Sequence, residues 1–361
     1  MVSRSGIAYG VLGAAAAASA TAAAAGGFLL RRKRRAGRTD APQRFDDLGA
    51  DRTGTVRAED GVALHVEEIG PADAPLTVVF AHGFTLSMRA YYFQKTALRQ
   101  KFGDSIRLVF YDQRGHGKSA SSMPASATID QLGRDLHAVL DVLVPSGPMV
   151  LVGHSMGGMT ILALAQQFPE LFREQGGRWR SRPARVAGVA LVCTSAGGLA
   201  GVSLGLPALV ARLRGPLAPM LLRGARAQAA LVERGRRVGR DVAWVITRKL
   251  SFGNGEVDPD VVDFLNELIS GTRIEAIADF YPALMTYDVT PGLDVLADVD
   301  VLIIGAERDV ITPIERSRAM AQVLTRAEFI ELAEVGHIAV LEAPDAVGAP
   351  LIDLVARAAA R

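Results

Sequence analysis

From residue 54 onward the chain alternates short apolar runs with longer stretches of helical period. Residues 62–69 alternate apolar and polar side chains, the mark of a half-exposed strand. The runs 76–81 (LTVVFA), 106–111 (IRLVFY) and 149–152 (MVLV) are rich in β-branched residues and bounded by Gly, Pro or His, as buried parallel strands are. Helical patterns lie between them at 90–101, 129–143 and 156–168, and further apolar runs follow at 186–193, 299–304 and 327–332. Strand–helix alternation of this kind predicts an α/β fold with a mostly parallel sheet and helices on both faces. The rhythm breaks over 196–293, which is helical and Gly/Pro-punctuated without a buried strand. That length is too great for a simple connection and predicts a helical cap inserted after the sixth strand. The expected organisation is therefore an N-terminal segment 1–39, a linker 40–53, a core in two parts, 54–195 and 294–361, and the cap 196–293.

The N-terminal segment changes the picture. Residues 6–30 carry no charge, and as a helix they would span roughly 37 Å against a hydrocarbon core of about 30 Å. Alanine dominates the run, which makes insertion marginal. The basic cluster 31–35 follows the run instead of preceding it, so the expectation is an uncleaved transmembrane helix with a cytoplasmic body. The alternatives are a cleaved signal peptide, which would make the protein secreted, and an alanine-rich leader.

Charge and composition narrow the function. Seven basic residues and no acid lie in 1–39, so the rest of the chain is mildly acidic, with 33 basic against 38 acidic residues. An acidic body argues against a nucleic-acid partner. Cys193 is the single cysteine, which excludes an intrachain disulfide and a multi-cysteine metal site, and its apolar surroundings predict a buried structural thiol.

The pattern G-x-S-x-G occurs twice, around Ser155 and around Ser203. The motif works only where a strand feeds straight into a helix, because that tight turn lifts the hydroxyl above the sheet edge. Ser155 has MVLV before it and MTILALAQQF soon after, whereas Ser203 follows a Gly-rich stretch with Pro207 close behind. Context selects Ser155. With HGF at 82–84, DQRGHGKS at 112–119, GHSMGG at 153–158, GAERDVITP at 305–313 and GHIAVLEAP at 336–344, the chain resembles the α/β-hydrolase family over about residues 54–360.

The resemblance implies a nucleophile, acid and histidine in that chain order. Of six histidines only His337 follows Ser155, which makes it the expected base, with His116 as rival. Asp309 matches the family's acid at a strand end; Glu307 in the same turn and Asp300 are the alternatives, Asp300 at the wrong end of its strand. By family position the oxyanion donors are the backbone N–H groups of Phe84 and Met156. Asp112, Arg114 and Ser119 are expected to brace the loop beside the nucleophile.

The cap carries large apolar residues: Leu221, Leu222, Trp244, Phe252, Phe264, Phe280, Tyr281, Met285 and Tyr287. Most are expected to form its own core, and a few to line an acyl pocket. Residues 212–249 hold ten basic side chains against Glu233 and Asp241, either a solvated face or a surface for anionic lipid. Together these features predict a serine hydrolase of carboxylic esters, lipase- or monoacylglycerol-lipase-like, acting on a small-molecule, apolar ester. No metal or organic cofactor is implied. The rival readings are a cofactor-free haloperoxidase or perhydrolase on the same triad, and a non-catalytic binding protein on the hydrolase fold.

Overall fold

The computed structural model describes residues 45, 48–177, 180–182, 184–201, 247–253 and 257–361. Eight strands form the main sheet: β1 Arg52–Arg57, β2 Ala63–Ile69, β3 Leu76–Ala81, β4 Ile106–Tyr111, β5 Met149–His154, β6 Val186–Val192, β7 Asp300–Ala306 and β8 Glu328–Leu332. Their order is β1-β2-β4-β3-β5-β6-β7-β8. Only the β1–β2 and β2–β4 pairings are antiparallel; the others are parallel. The central strands β3, β4, β5 and β6 are buried along their whole length, which is why they read as unbroken apolar runs. Edge strand β1 buries only Val56, and its alternation is correspondingly weak in the sequence.

Helices cover both faces. On one side lie α1, Tyr92–Phe102, and α7, Pro344–Ala359; on the other lie α2, Ile129–Leu143, and α3, Met156–Gln167. Leu98, Leu351, Leu354 and Val355 fill the first interface, and Leu132, Leu136, Ile161 and Leu164 the second. The start of α2 is fixed by Thr128, whose hydroxyl accepts from the Gln131 N–H at 3.1 Å.

Between β6 and β7 the described residues add no strand to the sheet, and the longest helices there are α4 Pro259–Gly271 and α5 Ile274–Thr286. A further helix, α6 Ile314–Val323, comes after β7. Within the stretch expected as linker, Phe45 is buried and stacks on Phe264 of α4 with ring centroids 4.5 Å apart. The second G-x-S-x-G at Ser203, most of the basic run 212–249, and Leu221, Leu222 and Trp244 lie outside the described residues.

The expected transmembrane helix, with the membrane partner and cytoplasmic placement built on it, is corrected. Among the described residues no helix is long and apolar enough to cross a membrane, and the run 6–30 lies outside them. The physical reason is in the side chains. Eleven of those 25 residues are alanine, which leaves few of the Leu, Ile, Val and Phe side chains whose transfer, at about −0.3 to −0.6 kcal/mol each, drives insertion.

Candidate active site

The polar groups singled out in the sequence gather where the parallel strands end. Ser155 stands between β5 and α3 with φ 52° and ψ −120°, a left-handed backbone that non-glycine residues adopt only when their surroundings hold them there. The surroundings do hold it: a Cβ on Gly157 would run into the Ala81 carbonyl, so only glycine lets α3 approach β3 this closely. The turn aims the serine side chain at His337, in the loop after β8. The Ser155 hydroxyl is 2.9 Å from His337 Nε2, and His337 Nδ1 is 2.8 Å from Asp309 Oδ2. All three residues are buried, Ser155 5% exposed and the other two 4%, so water competes little for these bonds.

Asp309 is held at every lone pair that matters. Its Oδ1 accepts the backbone N–H groups of Ile311 and Thr312, each at 2.8 Å, and the Thr312 hydroxyl lies 2.8 Å from Oδ2. The carboxylate therefore has one orientation and presents one oxygen to the imidazole. The alternatives are elsewhere. Glu307 is exposed, and Asp300, at the far end of β7, pairs with Arg357 at 2.9 Å.

The remaining histidines near the site are buried and neutral. His154 donates from Nε2 to the His337 carbonyl at 2.9 Å, fixing the loop that carries His337, and burial pushes its pKa down to about 3. Burial likewise pushes His82 down to about 4 and His116 to about 3. His116, the rival base, has its Nδ1 on the Arg114 carbonyl at 2.9 Å, and its ring packs between those of His82 and Phe280.

Phe84 borders the cavity on which the serine opens, and Met156 is the first residue of α3, where an N–H has no carbonyl partner within its own helix. The loop 112–119 is braced as expected. Asp112 accepts from the N–H groups of Met88 and Lys118 at 2.9 and 2.8 Å, and Ser119 donates to the Asp112 carbonyl at 2.5 Å. Arg114, fully buried, forks onto Asp135 at 2.5 and 2.6 Å and reaches Asp60 at 2.8 Å.

The cavity at Ser155 and His337 has a volume of about 310 Å³ and is walled mainly by apolar side chains that include Met159, Leu265, Tyr281, Leu284 and Met285. Helices α4 and α5 thus supply one wall, and the core strands' loops the other. Of the large cap residues, Phe252, Phe264 and Phe280 are buried in the core, Tyr281 and Met285 face the cavity, and the Tyr287 hydroxyl donates to the Ser195 carbonyl at 2.9 Å. Among the described residues no group of three His, Cys, Asp or Glu side chains could hold a metal ion.

Residues 78–349 match the family model described as the alpha/beta hydrolase family. The chain belongs to this family. This α/β hydrolase is 29% identical over 296 residues to 3-oxoadipate enol-lactonase 2 of Acinetobacter baylyi, an alignment that covers 81% of this chain and 92% of that protein. Among solved structures, an esterase from Thermogutta terrifontis superposes with a TM-score of 0.60 at 21% identity, covering 85% of this chain and 99% of that one. A bromoperoxidase from Bacillus anthracis does so with 0.63 at 18%, covering 84% and 100%. At those identities the superpositions speak for the fold.

Three partners at the site were not singled out from the sequence: Thr312, which bonds Asp309; His154, which holds the loop carrying His337; and Gln113, buried between the His82–Phe84 segment and α3. Thr312 sits three residues after Asp309, so its proximity was visible. The other two bond across 183 and 31 residues, and nothing local announces such partners.

Proposed function

We propose that this α/β hydrolase cleaves neutral carboxylic esters with an apolar, lipid-like acyl group, through an acyl-enzyme on Ser155. The observation that carries the reading is the chain of contacts from Asp309 through His337 to Ser155, opening on an apolar cavity. Asp309 keeps the imidazole proton on Nδ1, which leaves the Nε2 lone pair facing the serine hydroxyl. Nε2 takes that proton as Oγ attacks the ester carbonyl, and the N–H groups of Phe84 and Met156 receive the charge that develops on oxygen. The tetrahedral adduct collapses, the alcohol leaves with the proton from Nε2, and an acyl-serine remains. Water, deprotonated by the same Nε2, then releases the carboxylic acid and restores the serine.

The cavity sets the acyl size. A volume of about 310 Å³ lies at the lower end of small-ligand sites, roughly 300–1,000 Å³, which favours a short to medium acyl chain over a long one. Helices α4 and α5, which lie against the cavity, act as the cap that shields the acyl group from water.

The test is a series of p-nitrophenyl esters of graded acyl length, run beside labelling with a fluorophosphonate. Labelling of Ser155 and a kcat/KM maximum at medium chain length are expected. Labelling elsewhere, or no ester turned over at any length, would overturn the proposal.

A further inference from the structure

Gln113 is fully buried, and it joins the two segments that carry the proposed oxyanion donors. Its side-chain Nε2 donates to the His82 carbonyl at 2.5 Å, and its Oε1 accepts from the Thr160 hydroxyl at 2.8 Å. Its backbone N–H donates to His82 Nε2 at 2.9 Å, and His82 Nδ1 in turn donates to the Gly83 carbonyl at 2.8 Å. The first segment therefore ends in Phe84, directly after the two residues so held. The second is the opening of α3, where Thr160 lies one turn beyond Met156 and its hydroxyl sits 2.9 Å from the Met156 carbonyl. His82 and Thr160 are also fully buried, so no solvent can substitute for these bonds.

We propose that Gln113 is a positioning residue that sets the separation between the Phe84 and Met156 N–H groups; the proposal rests on the reading of Ser155 as nucleophile. A primary amide suits the position because it offers a donor and an acceptor at once, one for each segment. An oxyanion hole works only when both donors aim at the place where the charge develops. A displacement of about 1 Å of such groups costs on the order of 10²-fold in rate. The contribution of Gln113 lies in kcat and not in substrate affinity, because it is fully buried and does not line the cavity.

Three variants of the full-length enzyme test this, with circular dichroism and melting as folding controls. Gln113→Met keeps the length and removes both bonds; kcat should fall about 10- to 100-fold with KM within about twofold. Thr160→Val removes one of the bonds and should give a smaller fall in kcat, again without a change in KM. Gln113→Glu restores both bonds only while its carboxyl is protonated, since the ionised form has no donor for the His82 carbonyl. Its kcat relative to wild type should therefore be highest at low pH and fall as pH rises. His82, His116 and Asp112 adjoin the position in both proteins, so the ratio isolates residue 113.

Should Gln113→Met fail to fold, the pH course of Gln113→Glu decides alone. Folded variants with wild-type kcat beside an inactive Ser155→Ala would overturn the positioning role and leave the hydrolase reading standing. A rise in KM at constant kcat would overturn it too, by assigning Gln113 to pocket shape. An active Ser155→Ala would overturn the nucleophile and the role of Gln113 together.

Discussion

Asp309→Asn removes one charge and almost no volume, and the geometry dictates the outcome. The oxygen of the new amide stays at the Oδ1 position, because two backbone N–H groups point at it from 2.8 Å. Its NH₂ then occupies the place of Oδ2, 2.8 Å from His337 Nδ1, and donates where the carboxylate accepted. Nδ1 must give up its proton, the proton moves to Nε2, and Nε2 can no longer accept from Ser155. Turning the amide around would face its NH₂ to the two N–H groups and leave both unsatisfied, at about 1–3 kcal/mol each. The productive tautomer is thus disfavoured by about 2–6 kcal/mol, and the imidazolium formed during attack has lost its counter-charge. At about 1.36 kcal/mol per decade, the fall in kcat should be on the order of 10³- to 10⁴-fold. Steady-state hydrolysis of a medium-chain p-nitrophenyl ester at neutral pH reads it, with the melting temperature as a control that should move little. Activity within about tenfold of wild type would refute the reasoning, as would an equal loss in Glu307→Gln, whose side chain is exposed.

Acid should unfold the protein early. His82, His116 and His154 have folded pKa values near 4, 3 and 3, below the ordinary histidine value of 6.5, so the unfolded chain binds more protons between those limits. Stability is present in full above about pH 6.5 and is lost as pH falls, with a slope approaching three protons, about 4 kcal/mol per pH unit. Asp112, Asp135 and Glu342, raised by burial, offset part of this, because in acid the folded state binds protons on them before the unfolded state does. Urea unfolding from about pH 7 to pH 5 measures it, and a flat profile would contradict the neutral buried histidines. Arg114→Leu strands the buried Asp135 carboxylate without its partner and should cost about 3–5 kcal/mol in the same unfolding assay; a loss below about 1 kcal/mol would show that the pair matters little. Met285→Trp fills part of the cavity, so the preferred acyl length should shorten with kcat on short esters preserved; an unchanged length profile would remove that side chain from the acyl path.

The parts of this fold that were legible are those whose information is local. The strands β3 and β4 and the helix α2 fall on the residues their apolar patterns predict, because burial on both faces or on one stripe leaves a periodic trace. The flanks of Ser155 mark a strand running into a helix, and β5 and α3 stand there, while Asp309 and Asp300 lie at opposite ends of β7. Edge strand β1 was invisible, since five of its six residues are not buried and impose no pattern. The burial of Phe45 was hidden for a different reason: a lone aromatic in a polar stretch reveals nothing of the Phe264 ring it meets. The same limit applies to Gln113, His154 and Glu342. The carboxylate of Glu342 accepts the N–H groups of Gly336 and Gly253 at 2.7 and 2.9 Å, a contact spanning 89 residues in the second case. The membrane expectation rested on the absence of charge and on the basic cluster after the run, in a segment whose alanines already made insertion marginal.

The central claim is that the Ser155 hydroxyl is the group that His337 makes nucleophilic. Intact-mass spectrometry after a short exposure to a fluorophosphonate, with peptide mapping of the product, tests it most directly. One covalent adduct per chain is expected, on Ser155, formed by wild type, abolished in Ser155→Ala, and slowed by orders of magnitude in His337→Gln and Asp309→Asn. An adduct on another residue, or one forming on Ser155 at an undiminished rate without His337, would contradict it.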